Sequence, residues 1–353
     1  NDAFAMKFNG TNGNIMWVTQ LGDTTAGGGT GGDNDSYDYI QGVAVDAADN
    51  VYMCGETGGS MGETNGGQND IIVIKLDSDG VFQYVTQFGE FTKGGLNNIG
   101  RAWAYDIAVH GTDIFLGAGN DDDGMDEPVQ GWYSDVVVIK LDGTDGSLTW
   151  MTQLGTVTRP NTDFNNGGEV CKGIAVDSDG DVYCSGYTHG NLGEFNIQTG
   201  RYDAFILKLD GDNGNVDWIT QLGDTTTVGD NSGRDQCYAI ALGENNDVYC
   251  AGDTDGDLGS GDGEAFVMRL NADDGELQWV TQYGGYNTAD TTRDNDEYCR
   301  GLDIDSNGDI FCVGRVSGTG LFIEDNNARV SGFVIKLNKD GTINDNSIYV
   351  EDL

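Results

Sequence analysis

The chain has 353 residues, long enough for two ordinary domains or for one large all-β ring. Its 57 glycines against 2 prolines match neither collagen nor a proline-rich linker, and 37% hydrophobic residues supply material for a core. A formal net charge of -42, from 17 basic and 59 acidic residues, excludes nucleic acid and anionic membrane surfaces as partners, because no basic stripe exists to displace their counterions.

Such a charge favours solubility, attracts cations and suits salty water, where screening weakens self-repulsion. No run of eighteen apolar residues occurs, so no membrane insertion is expected. The opening NDAFAMKF lacks the charged and apolar regions of a signal peptide, so a secreted form is expected to be already processed.

In chain order the first predicted strand is NDAFAMKFN from Asn1, followed by GNIMWVTQLG at 13–22. The first phrase returns as NDIIVIKLD from Asn69, SDVVVIKLD from Ser134, YDAFILKLD from Tyr202, GEAFVMRLN from Gly263 and SGFVIKLN from Ser331. Successive starts lie 68, 65, 68, 61 and 68 residues apart, a blade-sized period longer than any helical solenoid repeat. The second phrase returns as GVFQYVTQFG, GSLTWMTQLG, GNVDWITQLG and GELQWVTQYG.

Between these phrases lie two more strands per unit, such as GIAVD and DVYCSG within 173–186. Alternating β-branched and aromatic residues, with Asp/Asn/Gly clusters at every junction, read as strands and turns. We name the four strands A (GIAV), B (DVYC), C (DAFILKLD) and D (VDWITQLG). Four antiparallel strands per repeat predict an all-β fold, a β-propeller of four-stranded blades. The expected count is six blades with one incomplete; five or seven are the alternatives. The expected organisation is a single domain over 1–353, with a half-blade at 1–26 and repeats at 27–90, 91–156, 157–224, 225–285 and 286–353. Strand pairing between the last segment and the half-blade would close the ring and hide an edge. Left open, the half-blade would accept a strand from a neighbouring molecule.

These recurring phrases, D-a-F-v-x-K-l-D, G-x-x-x-W-x-x-Q-x-G, G-x-A-V-D and N-V-Y-x-x-G, make the chain resemble the secreted β-propeller repeats abbreviated SBBP. The resemblance covers nearly the whole chain. It implies an extracellular propeller and carries no catalytic motif.

Three cysteine pairs stand thirteen residues apart, Cys171 with Cys184, Cys237 with Cys250 and Cys299 with Cys312. The pairs raise metal binding, redox chemistry and stapling as alternatives. In the other two A–B units the same positions are Ile40 with Met53 and Ala104 with Leu116, so both are Cys or neither is. Antiparallel A and B strands bring each pair within the roughly 5.5 Å Cα separation of a disulfide. Two thiols without His or a second pair make a poor zinc site. Intrablade disulfides are expected, and with them an oxidising, secreted or surface location. Cys54 is left over, either as a buried thiol or as an intermolecular link. Asn9 and Asn34 begin glycosylation sequons.

The A–B and C–D turns are short, whereas the B–C and D–A connections are long and share one face, the expected binding surface. On the short-turn side, Asp177, Asp179 and Asp181 in DSDGD, with Asp210 and Asp212 in DGDNG, are candidate calcium ligands. The competing reading is that Asp, Asn and Gly simply build these turns. Trp17, Trp150, Trp218 and Trp279, with Tyr84 in the second copy, are expected to pack between blades; the alternative is a sugar platform. Gln20, Gln87, Gln153, Gln221 and Gln282, farther along the same strands, are expected to satisfy backbone groups.

Catalysis has little support. His110 and His189, the only histidines, neighbour no recurring nucleophile. Quinone-dependent dehydrogenases also carry Trp-bearing blades, but no quinone or calcium pocket is marked here. The expected function is a non-catalytic structural or adhesive module of an extracellular filament, layer or matrix. Its partners would be other extracellular proteins or copies of itself. The alternative is a binding propeller recognising a glycan or protein through the long-loop face, and a glycan-active enzyme is the remote third.

Overall fold

The computed structural model describes residues 2–22, 37–62, 69–89, 101–120, 134–155, 168–192, 202–223, 234–244, 247–254, 256–258, 265–283, 297–316 and 331–352. These residues contain 22 strands and no α-helix, hence no helix long and apolar enough to cross a membrane.

Strands β1 (Ala3–Phe8) and β2 (Ile15–Leu21) form a two-stranded sheet. Five four-stranded sheets follow, each ordered A-B-C-D. The first holds β3 (Asp38–Val45), β4 (Val51–Thr57), β5 (Asp70–Leu76) and β6 (Phe82–Phe88). The second holds β7 (Ala102–His110), β8 (Asp113–Asn120), β9 (Asp135–Asp142) and β10 (Leu148–Leu154). The third holds β11 (Val170–Val176), β12 (Val182–Thr188), β13 (Asp203–Leu209) and β14 (Val216–Leu222). The fourth holds β15 (Asp235–Leu242), β16 (Val248–Thr254), β17 (Ala265–Leu270) and β18 (Leu277–Tyr283). The last holds β19 (Tyr298–Ile304), β20 (Ile310–Val316), β21 (Ser331–Leu337) and β22 (Ile343–Asp352). Five full blades and one two-stranded blade make this a β-propeller of about six blades.

The chain falls into two compact units. One comprises Asn1–Val157, Gly168–Val176 and Gly211–Asn215; the other comprises Thr158–Gly167, Asp177–Asp210 and Val216–Leu353. Within each, successive blades bury one another's faces. In the first, Tyr52 and Cys54 of β4 and Ile71 and Val73 of β5 pack against Ala104 and Ile107 of β7 and Leu116 of β8. In the second, Tyr249 and Ala251 of β16 meet Cys299, Cys312 and Phe333 of the following blade. In the four blades from β3 to β18 the B and C strands are therefore buried on both faces and read as near-continuous apolar runs, whereas the A and D strands stay half-exposed.

The D strands carry a repeated latch. The indole of Trp17 donates to the Ser78 carbonyl (3.1 Å), Trp150 to Gly211 (3.0 Å) and Trp218 to Ala272 (3.0 Å), each in the next C–D turn. Two residues on, Thr19, Thr86, Thr152, Thr220 and Thr281 donate to the carbonyls of Gly80, Gly146, Gly214, Gly275 and Gly341. The aromatic side chains thus pack between blades, and Tyr84 reaches the Gly143 carbonyl at 3.2 Å. The glutamines clamp the B–C side of their own blade. Gln87 accepts from the amides of Met61 and Gly62 while donating to the Gly59 carbonyl and to Asp70. Gln221 repeats this with Leu192, Gly190 and Asp203, and Gln282 with Leu258 and Gly256. Gln20 and Gln153 donate to Asp2 and Asp135.

Candidate functional site

In an antiparallel A-B-C-D blade the start of A, the end of B, the start of C and the end of D lie at one end. The long connections leave from that end. There the A strands carry a β-bulge: pairing jumps from Ile40 to Gly42, Ala104 to Asp106, Cys237 to Ala239 and Cys299 to Gly301. The extra residues are Gln41, Tyr105, Tyr238 and Arg300, and Lys172 holds the matching place in β11. A bulge re-aims its unpaired side chain and strengthens local twist.

The disulfides bracket these bulges. Cys237 pairs in register with Gly252 whereas Cys250 faces Ile240, so the Cys237–Cys250 bridge crosses the bulge diagonally with Cα atoms 6.0 Å apart. Cys299–Cys312, at 5.9 Å, does the same around Arg300. Cys171 and Cys184 are also disulfide-bonded. Cys54 is a free, fully buried thiol, held well above the usual thiol range by burial and then by the Asp106 carboxylate.

In the second unit the bulge residues join a band of aromatic and cationic side chains. Arg300 lies 4.6 Å from the Tyr238 ring centroid and 4.7 Å from that of Tyr298. Arg315 lies 5.7 Å from the Tyr298 ring centroid and donates to its hydroxyl at 3.0 Å. Farther along, Arg234 lies 5.6 Å from the Tyr202 ring, which also packs against Tyr187 and His189. Burial and the Asp253 carboxylate, which accepts the Tyr238 hydroxyl, push that phenol up; Arg300 and Arg234 pull the other way. Among the described residues Arg234, Arg300 and Arg315 are exposed and form no ion pair. In the first unit Lys172 stands 3.3 Å from the Tyr105 ring centroid. Stacked guanidinium groups keep their N–H edges available for a planar oxyanion.

This band escaped the sequence reading, which looked to recurring residues. The signal was the reverse: one large polar or aromatic residue that varies among Gln, Tyr, Lys and Arg from copy to copy, after the Cys/Ile/Ala position of every A strand.

The acidic turns fold onto themselves. Asp177 accepts the amides of Asp179 and Asp181 on one oxygen and the Tyr183 hydroxyl on the other. Asp181 pairs with Lys208 at 2.8 Å. Asp46 and Asp305 close their turns in the same way, and the Asp309 amide holds Asp305 below the usual carboxylate range. Asp210 and Asp212 flank Gly211, whose carbonyl accepts from Trp150 and Lys140. Among the described residues no group of three or more His, Cys, Asp or Glu side chains is arranged to share a metal ion. Asn9 closes the β1–β2 turn by accepting the Thr11 amide, and Asn34 lies outside the described residues. His110 ends β7 opposite Asp113, far in the chain from the band's His189.

Solved structures confirm the architecture and nothing finer. The quinohemoprotein alcohol dehydrogenase of Comamonas testosteroni is similar at 13% identity and a TM-score of 0.51, covering 95% of this chain and 56% of that one. A europium-containing methanol dehydrogenase gives 12% and 0.51 over 99% of this chain and 67% of that one. The chain thus spans little more than half the length of the first of these. At such identities the likeness establishes the fold alone. No curated protein sequence matches the chain. The model of the SBBP β-propeller repeat matches at residues 17–60, 149–194, 217–259 and 278–321, half of the chain in all, and the chain belongs to that family.

Proposed function

We propose that this chain is an extracellular, non-catalytic adhesive propeller that holds an anionic glycan on the band around Arg300. One observation carries the reading: three exposed arginines, stacked on tyrosines and without carboxylate partners among the described residues, in a chain of net charge -42. Tyrosine faces suit sugar rings, and guanidinium edges suit a carboxylate or sulfate ester. The surrounding negative charge disfavours a dense polyanion and selects a ligand whose charges are sparse. The disulfides are consistent with an oxidising, extracellular setting.

The test is calorimetry with uronic-acid-bearing, sulfated and neutral oligosaccharides, at low and physiological salt. Acidic oligosaccharides bind and Arg300→Gln weakens them about tenfold or more. Equal binding of neutral sugars, or indifference to Arg300→Gln, overturns the reading. A second reading, a building block of a surface or matrix assembly, is favoured by the apolar exposed face of the β1–β2 sheet. Sedimentation with and without millimolar calcium tests it, a monomer in both conditions being the refuting result.

A further inference from the structure

The arginine band repeats one contact at successive blade junctions. A cation from the A strand of one blade lies on an aromatic ring of the blade before it: Lys172 on Tyr105, Arg234 on Tyr202 and Arg300 on Tyr238. The last two belong to one compact unit and join the third full blade to the fourth and the fourth to the last. Main-chain pairing fixes the first of them: Arg234 bridges to Tyr202, and the Asp235 amide donates to the Tyr202 carbonyl at 2.9 Å. The second is held by two rings, since the Arg300 guanidinium lies against both Tyr238 and Tyr298, whose centroids are 6.3 Å apart. Arg315 shares the Tyr298 ring.

Arg234 stands four residues before Tyr238 in the chain, about 13 Å of extended strand at about 3.3 Å per residue, so the two guanidinium groups address separate stretches of a ligand. Between them the sign of the charge reverses. Asp253, half-buried on β16, pairs in register with Gln236, midway between Arg234 and Tyr238, and its carboxylate accepts the Tyr238 hydroxyl. The order along the band is therefore cation, carboxylate, cation. A ligand charged on every unit meets repulsion at Asp253, whereas a neutral sugar there meets an acceptor for its hydroxyls.

We propose that the band holds its ligand as an extended chain across these three blades, with one acidic sugar at Arg234, the next at Arg300 and Arg315, and a neutral sugar over Asp253 between them. This rests on the anionic-glycan reading above and narrows it to a polysaccharide in which acidic and neutral residues alternate. Two modest subsites engaged by one chain act at high effective concentration, so affinity grows with ligand length until both are filled.

The test is a length series by calorimetry at physiological salt. Alternating glucuronate–N-acetylglucosamine oligosaccharides, from disaccharide to octasaccharide, are compared with oligogalacturonates of the same lengths, in which every residue is charged. We expect weak disaccharide binding, then a rise of about a hundredfold once the oligomer reaches both arginine subsites, and a plateau beyond it. Arg234→Gln abolishes the rise. Asp253→Asn, which keeps an acceptor for the Tyr238 hydroxyl, raises oligogalacturonate affinity about tenfold. Near-ultraviolet circular dichroism checks that each variant keeps the packing of the parent. Affinity independent of length, a rise that survives Arg234→Gln, or oligogalacturonates that bind the parent as tightly as the alternating series overturns the inference; if the disaccharide still binds through Arg300, the anionic-glycan reading stands without it. Binding of no acidic oligosaccharide at any length overturns both.

Discussion

Replacing Gly275 by Ala tests the latch between blades. Gly275 sits in the β17–β18 turn at φ +72°, and an added Cβ would lie 2.5 Å from Cε3 of Trp218 and 2.7 Å from Oγ1 of Thr220. The left-handed backbone costs an alanine about 1–2 kcal/mol. Forcing a methyl against the indole adds about 1–3 kcal/mol of overpacking. Displacing the Gly275 carbonyl from the Thr220 hydroxyl forfeits about 1 kcal/mol more. The expected loss is therefore about 3–6 kcal/mol. Gly111→Ala is the control: φ is +60°, yet nothing lies within 4 Å of the added Cβ, so it carries the backbone cost alone. Urea unfolding followed by tryptophan fluorescence ranks the two variants, and hydrogen exchange of β14 and β17–β18 locates the damage. Equal midpoints, or damage confined to the turn itself, would refute the idea that the Trp–Thr–Gly contact couples neighbouring blades.

Removing one staple with Cys299→Ala and Cys312→Ala frees a loop of thirteen residues' separation, and about 3 kcal/mol should be lost in chemical denaturation; a loss under 1 kcal/mol would leave the bridge without a stabilising role. Cys54, fully buried, should resist thiol reagents in the native chain and react only on unfolding, so rapid native labelling contradicts the packing around it. Burial raises Asp203 to about 6 despite its hydrogen bond from Gln221. A raised carboxylate makes the folded chain bind the proton more tightly, so this residue's contribution to stability falls as pH rises from about 4 through 6. Asp203→Asn should flatten that limb and be more stable than the parent at pH 7 by roughly 2–3 kcal/mol, read as urea midpoints across the range; parallel pH profiles would refute the assignment.

Much of the molecule was legible from local patterns. Strands, turns and their count per repeat followed from period-two alternation punctuated by Asp, Asn and Gly. The recurrence of Trp or Tyr and of Gln in five D strands pointed to structural posts, and Trp17, Trp150 and Trp218 with Gln87, Gln221 and Gln282 serve as such. The role of the acidic turns was legible only as a choice. Asp177 could be read as a turn former or as a calcium ligand, because the residues that saturate its carboxylate include Tyr183 on the next strand.

What the sequence by itself determined is therefore everything that depends on near neighbours: the repeat, the four strands, the turns and the thirteen-residue cysteine spacing. Tertiary structure alone decided the rest. The bulges that re-aim Tyr238 and Arg300 arise from strand register, which no single strand encodes. The latch joins Trp218 and Thr220 to a turn more than fifty residues away, and the exposure of Phe4 and Val43 depends on which strands lie beside them. Pairing and packing at such separations are settled by the mutual burial of whole blades rather than by the preference of any residue for its neighbours.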